Sequence, residues 1–232
     1  MTRLDMVRRY TTAPPVMLQR VRVRFSRLGP GAKLTHLQQI ELVRRSLREA
    51  GWPVQKVSFG PAISVGVESM AEYCDAQLSS RMDFVKAKES LAAHLPEGYG
   101  VLEVKSIPRF FPSLEESINL CQFEVTSEKL GETKSRWDAF WAATQFLVIK
   151  KKADKNIAID ARPLVKEWKL GGSRLEIFLR FGPGKTIKPE RIVQTVCEWP
   201  EEQCQVGTPG CQLTVKRLQF FFEKNTGELL PI

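Results

Sequence analysis

The stretch 19-QRVRVRFSRLGPGAKLTHLQQIELVRRSLREAG-51 decides how the rest of the chain is read. Its first seven residues alternate: Val21, Val23 and Phe25 point to one side, Arg20, Arg22 and Arg24 to the other. A strand with one buried face requires this pattern. Gly29, Pro30 and Gly31 then break the strand. Thr35 with Gln38 three residues on is a capping box, and Leu37, Ile40, Leu47 and Ala50 follow as an apolar face. The polar side of that helix carries Arg44, Arg45 and Arg48, and Gly51 with Pro53 ends it.

Working outward, two strands are predicted at 56–65 and 72–78, joined by a turn around 66–69. A helix at 81–94 follows, with Ser80 and Asp83 as its capping pair, and then a strand at 100–107. Strand, helix, strand, strand, helix, strand is the order of the ferredoxin-like split unit. Past Pro108–Ser113 the order recurs, with a strand at 120–126 and a Trp-rich helix at 134–149. Strands at 156–161 and 174–181, a helix at 189–199 and a strand at 211–222 complete it. The expected fold is therefore α+β, two tandem ferredoxin-like (βαββαβ) domains with antiparallel sheets. Residues 1–17 form a basic N-terminal arm, 18–112 the first domain with a basic face, 113–224 the second domain and 225–232 a tail. The repetition rests on element order alone, since the halves share no residue-level repeat.

The charge distribution sharpens this division. The chain has 232 residues and a formal net charge of +9, and residues 1–56 hold 12 basic against 3 acidic residues. The remainder is neutral, so the whole excess lies in the first quarter. With 43% hydrophobic and 26% charged residues the composition is that of a globular chain. No apolar run is long enough to span a bilayer, and charges and prolines fill the first twenty residues where a signal peptide needs an apolar stretch. A cytoplasmic protein without a membrane partner is the expectation.

Cys74, Cys121, Cys197, Cys204 and Cys211 are read as reduced thiols, since a chain of this size needs no disulfide staples. The sevenfold spacing of the last three lacks the close ligand pairs of a zinc site, and no CxxC is present. His36 and His94 are the only histidines, and neither stands in a catalytic motif. Gly182–Lys185 reads as a turn. No cofactor and no metal is expected.

Several segments, RVRVRFSRLGPGAKLTHLQQIELVRRSLREAG, VSFGPAISVGVESMAEYCDAQL, LPEGYGVLEVKSIP, PSLEESINLCQFEV and KNIAIDARPLV, together resemble the radical SAM-linked (radical SAM-associated) proteins of unknown function. The resemblance spans about residues 18–222. It is carried by Arg24, Phe25, Gly29, Thr35, His36 and Leu37, and by Ser58, Phe59, Gly60, Pro61, Gly66, Glu68, Ser69, Glu72, Tyr73 and Asp75. Asp160, Arg162 and Pro163 match a third pattern. In one respect the chain departs from that family, whose members have a longer loop between the first helix and the SFGPA strand. The resemblance implies an accessory role beside a radical SAM enzyme. The chain itself lacks the three-cysteine cluster motif.

Three functions remain open at this level. The first is a non-catalytic accessory protein that binds RNA or presents substrate through a basic face, with Arg20, Arg22, Arg24, Arg44, Arg45, Arg48 and Tyr73 as the nucleic-acid-binding set. Set against it, those arginines pair internally with Asp75, Glu72 or carboxylates of the second half. The second is a metal-independent endoribonuclease of the CRISPR repeat-processing type, with His36 as acid or base near Arg44 or Lys33. The third is a protein-docking subunit using Phe110 and Phe111, or Phe220, Phe221 and Phe222. Trp137 and Trp141 are expected in the core, Lys150, Lys151, Lys152 and Lys155 at a solvated helix end, and Asp160 with Arg162 as a charge pair on one strand face.

Overall fold

The structure, a computed structural model, describes residues 17–152, 155–182 and 186–232. All of the expected basic arm except Met17, and most of the Gly182–Lys185 turn, lie outside them.

Strand β1 (Gln19–Arg27) is followed by helix α1 (His36–Glu49), β2 (Val54–Phe59), β3 (Glu68–Leu78), α2 (Phe84–Ala92) and β4 (Tyr99–Ile107). The alternation of β1 sends Val21, Val23 and Phe25 into a core with Val43 and Leu47 of α1 and Ala87 and Leu91 of α2. Burying such side chains contributes roughly 1.5–3 kcal/mol each. The capping box of α1 is formed: Gln38 N donates to Thr35 Oγ1 at 3.3 Å and Thr35 N donates to Gln38 Oε1 at 2.8 Å. Helix α2 begins later than expected and is capped by Asp83 alone, whose Oδ1 accepts from Val85 N and Lys86 N.

The second half runs β5 (Leu120–Thr126), α3 (Lys134–Ala142), β6 (Leu147–Lys152), β7 (Lys155–Asp160), β8 (Val165–Gly171), β9 (Arg174–Arg180), α4 (Pro189–Cys197), the short α5 (Glu201–Cys204), β10 (Thr214–Glu223) and β11 (Leu229–Pro231). The expected helix 134–149 is cut short, because the chain turns extended at Ala143. Its last residues form β6, which pairs with β7 in a separate hairpin. The lysine run therefore lies on that hairpin and not at a helix end. Strand β8 was not expected, and the supposed tail carries β11, paired with β10.

Among the described residues nine strands form one mixed but mostly antiparallel sheet, in the order β4-β1-β3-β10-β5-β9-β8, with β2 on β3 and β11 on β10. The halves meet where β3 and β10 run parallel, through Glu68–Lys216 and Ser69–Arg217. The second half has its own core, in which Trp137 and Phe140 of α3 and Ile192 and Val193 of α4 pack on Val125, Ile177 and Val215. A third cluster sits at the junction: Ala71 and Tyr73 of β3, Leu114 and Ile118 of the connecting segment, and Cys121 and Phe220 of the second half.

That junction covers much of the face of β1 and β3 opposite the first helices. The expectation of an open sheet face lined by Tyr73 and three free arginines is corrected here. Tyr73 is buried, and its hydroxyl donates to Ile232 O at 3.0 Å.

Candidate functional site

Arg20, Arg22 and Arg24 stand opposite Gln77, Asp75 and Tyr73 in the β1–β3 register. Asp75 is buried and takes two of the three arginines. Arg22 donates from Nε to Oδ1 at 2.8 Å and from Nη2 to Oδ2 at 3.0 Å, a bidentate pair. Arg20 Nη2 adds a third bond to Oδ2 at 2.8 Å. Arg24 is spent on backbone, donating to Met70 O at 2.8 Å and Leu218 O at 3.1 Å. The strand arginines are thus ties between β1, β3, β10 and the connecting segment, not a row of free cations. Arg44, Arg45 and Arg48 remain exposed on α1, on the other side of the sheet from Arg22. The seven residues expected to form one nucleic-acid surface are therefore divided between two faces.

Beside the Asp75 cluster lies an open hollow of about 690 Å³. Arg22 and Lys105, cross-strand neighbours on β1 and β4, line it with Glu116; Arg22 is paired with Asp75, and Lys105 Nζ stands 3.3 Å from Glu103 Oε2. Phe111 covers the Arg22 guanidinium with its ring centroid 5.5 Å away, and Phe222 and Leu230 add apolar lining. Phe110 stands at the rim and is 98% exposed. Phe110 extends the apolar wall into the exposed surface, where its ring face is open for stacking. The pattern fits a flat, largely apolar ligand.

A second polar cluster holds the two halves together. Glu72 is buried; Gln39 Nε2 donates to its Oε2 at 2.6 Å, and Arg217 of β10 pairs with its other oxygen. Arg217 also donates to Ser69 Oγ and to Pro61 O, each at 3.2 Å. Burial alone would push the Glu72 carboxyl up, but the Arg217 guanidinium and the bonds from Gln39 and Ser69 outweigh it and hold it below the ordinary carboxylate range. Arg27, fully buried nearby, caps the turn after β1 by donating to Gly31 O, Ala32 O and Leu34 O. Glu68 ties the same region outward, accepting from Gly29 N at 3.0 Å and pairing with Lys216 at 3.1 Å.

The sequence of residues 20–189 matches the model of a family described as an uncharacterized protein conserved in bacteria (DUF2344). The chain belongs to that family. No curated protein matches it. Among solved structures, a chain of "Crystal Structure of a Cbf5-Nop10-Gar1 Complex" is similar at 7% identity and a TM-score of 0.47, over 88% of this chain. This chain spans 50% of that one. An unknown protein from Galdieria sulphuraria is similar at 10% identity and a TM-score of 0.28, over 92% of this chain and 98% of its own. Neither similarity bears on function.

The DUF2344 match ends at the start of α4, so Arg217, Phe222 and Leu230 lie beyond it. Within it, the motif residues Ser69, Glu72 and Asp75 serve the two clusters above, while Gly60 N bonds Tyr73 O at 2.9 Å. Ser58 is exposed on β2, and Pro61 contributes its carbonyl to Arg217. Gly66 has φ +87, and a Cβ on it would meet Gly207 Cα at 2.6 Å, so this position is where the β2–β3 loop touches the second half. His36 is half-buried in the first turn of α1 and stands apart from Glu72 and Asp75 in the hydrogen-bonded clusters.

Asp160 and Arg162 do not form the expected charge pair. Asp160 Oδ1 accepts from Phe146 N at 2.9 Å and Arg162 N at 3.1 Å, closing a turn. The Arg162 guanidinium stacks 3.7 Å from the centroid of Trp141, which leaves that ring 38% exposed, whereas Trp137 is fully buried. Phe220 is in the junction core, Phe221 packs on Phe178, and only Phe222 reaches the hollow. Lys105 and the C-terminal strand were missed because neither is marked by a motif; their place at the hollow follows from register and from β11.

Proposed function

We propose that this protein is a non-catalytic accessory subunit that works with a radical SAM enzyme and binds single-stranded RNA at the hollow. In this reading the two halves are tandem ferredoxin-like domains. Strand orders β4-β1-β3-β2 and β10-β5-β9-β8, with helices after the first and third strands in chain order of each set, support it. The motif blocks around SFGPA and Glu68–Asp75 support the radical SAM association. The observation that carries the binding reading is Phe110, fully exposed beside a largely apolar hollow whose lining includes Lys105.

A base stacks on Phe110, and a phosphate meets Lys105 and the exposed Arg109. Stacking contributes about 1–3 kcal/mol per base. The test is fluorescence anisotropy with a labelled single-stranded RNA. Phe110→Ala is expected to weaken binding by about tenfold or more, and Lys105→Glu to weaken it and reduce its salt dependence. Equal affinity of both variants and wild type would remove the hollow from the account. Co-purification of a radical SAM protein with the tagged chain checks the association, and a native extract yielding only the free chain would count against it.

A further inference from the structure

A smaller cavity of about 300 Å³ lies between α4, α5 and the loop joining β2 to β3. It shares no lining residue with the hollow. Val65 and Val206 give it apolar wall, and Glu190 gives it a carboxyl. Glu190 is 7% exposed in the first turn of α4, and among the described residues its Oε2 has no hydrogen-bond partner. A buried polar atom left in this state is costly, unlike one facing solvent.

The neighbouring cations are differently placed. Arg191 donates from Nη2 to Glu201 Oε1 at 2.7 Å and from Nη1 to Gln194 Oε1 at 2.8 Å. Lys188 Nζ is 3.9 Å from Glu190 Oε1 and its side chain is 60% exposed. An entering anion would find the Arg191 donors engaged and the Glu190 carboxyl against it. An entering cation with N–H donors would give Glu190 Oε2 the partner it lacks.

We propose that this cavity binds a small alkylammonium ligand, its ammonium on Glu190 Oε2 and its aliphatic stem against Val65 and Val206. The volume suits an amine of a few carbons. Burial raises the Glu190 carboxyl above its ordinary range, and its own backbone N–H, Lys188 and Arg191 only partly offset that. The Cys204 thiol beside it is pushed up to about 12 and stays neutral, so Lys188, Arg191 and Glu201 are the other charges facing the site. A bound ammonium favours the ionised carboxylate, so protons compete with the ligand. Affinity falls as pH drops, and the fall begins above the ordinary glutamate value of about 4.3.

The test is calorimetric titration of the full chain with 1,4-diaminobutane, with succinate as an anionic control of the same length. Saturable diamine binding is expected, weakened at least tenfold in Glu190→Gln and weakened on going from pH 7 to pH 5, with no binding of succinate. Glu190→Gln is expected to melt no lower than wild type at pH 7, because it removes a desolvated carboxylate. A second variant, Val65→Trp at a position 44% exposed, obstructs the cavity from its rim and is expected to abolish diamine binding. Absence of saturable diamine binding, wild-type affinity in both variants, or preferential binding of succinate would overturn the proposal.

Discussion

At the scale of single residues, two buried carboxylates, Asp75 and Glu72, fix arginines. Asp75 holds both Arg20 and Arg22, so Asp75→Ala leaves two largely buried guanidinium groups without a counter-ion. It is expected to cost about 3–5 kcal/mol, read as a lower urea midpoint; a change below about 1 kcal/mol would mean the arginines find other partners. Glu72 and Glu223 titrate lower in the folded protein than in the unfolded chain, Glu223 at about 2 because Arg180 and then Lys166 hydrogen-bond it against the cost of its burial. Their stabilisation is fully present above the unfolded value of about 4.3 and is lost as pH falls through the folded values. Glu223→Gln is therefore expected to flatten the stability profile between about pH 4 and pH 2, and an unchanged acid limb in urea titrations would contradict the assignment. The alternation of Arg20, Arg22 and Arg24 was legible in the sequence, but their fate was not. Alternation gives the side of a strand and says nothing of what lies across it, and Arg217 reaches Glu72 over 145 residues.

At the scale of elements, the signals that could be read were those completed within a few residues. The Thr35–Gln38 box sets the start of α1, and Thr35→Ala is expected to cost about 1 kcal/mol by thermal denaturation; no loss would show that packing alone positions the helix. Gly98 has φ +89, and a Cβ there would approach Leu28 O at 2.5 Å and Gly31 N at 2.6 Å. Gly98→Ala is accordingly expected to destabilise the protein by about 2 kcal/mol or more, measurable by the same method. The helix expected over 134–149 ends at Ala142, although apolar residues at helical spacing continue past it. Phe146, Leu147, Val148 and Ile149 belong instead to the β6–β7 hairpin and its approach, where Asp160 accepts from Phe146 N and ties the hairpin's open end. A run of apolar residues fits helix or strand equally, and the partner strand decides. Strand β8 escaped notice between two turns although its burial alternates from Val165 to Leu170.

At the scale of the whole molecule, the two halves read from the sequence share one sheet. The parallel contact of β3 with β10, the buried Glu72–Arg217 pair and the junction core containing Tyr73 and Phe220 bind them. Denaturation is therefore expected to proceed in one transition seen alike by tryptophan fluorescence and circular dichroism; two separated transitions would mean the halves are energetically independent. This sharing also reshapes the charge asymmetry. Of the basic first quarter, Arg22 and Arg27 are buried, Arg44, Arg45 and Arg48 are exposed on α1, and the hollow draws Lys105 and aromatic residues from later in the chain. The most direct test of the binding account is photo-crosslinking of a 4-thiouridine-containing single-stranded RNA to the full chain, with mass spectrometry of the linked peptides. Crosslinks to peptides carrying Phe110–Phe111 and Phe222 or Leu230 are predicted. Crosslinks confined to the peptides of α1, or none at protein excess, would contradict it.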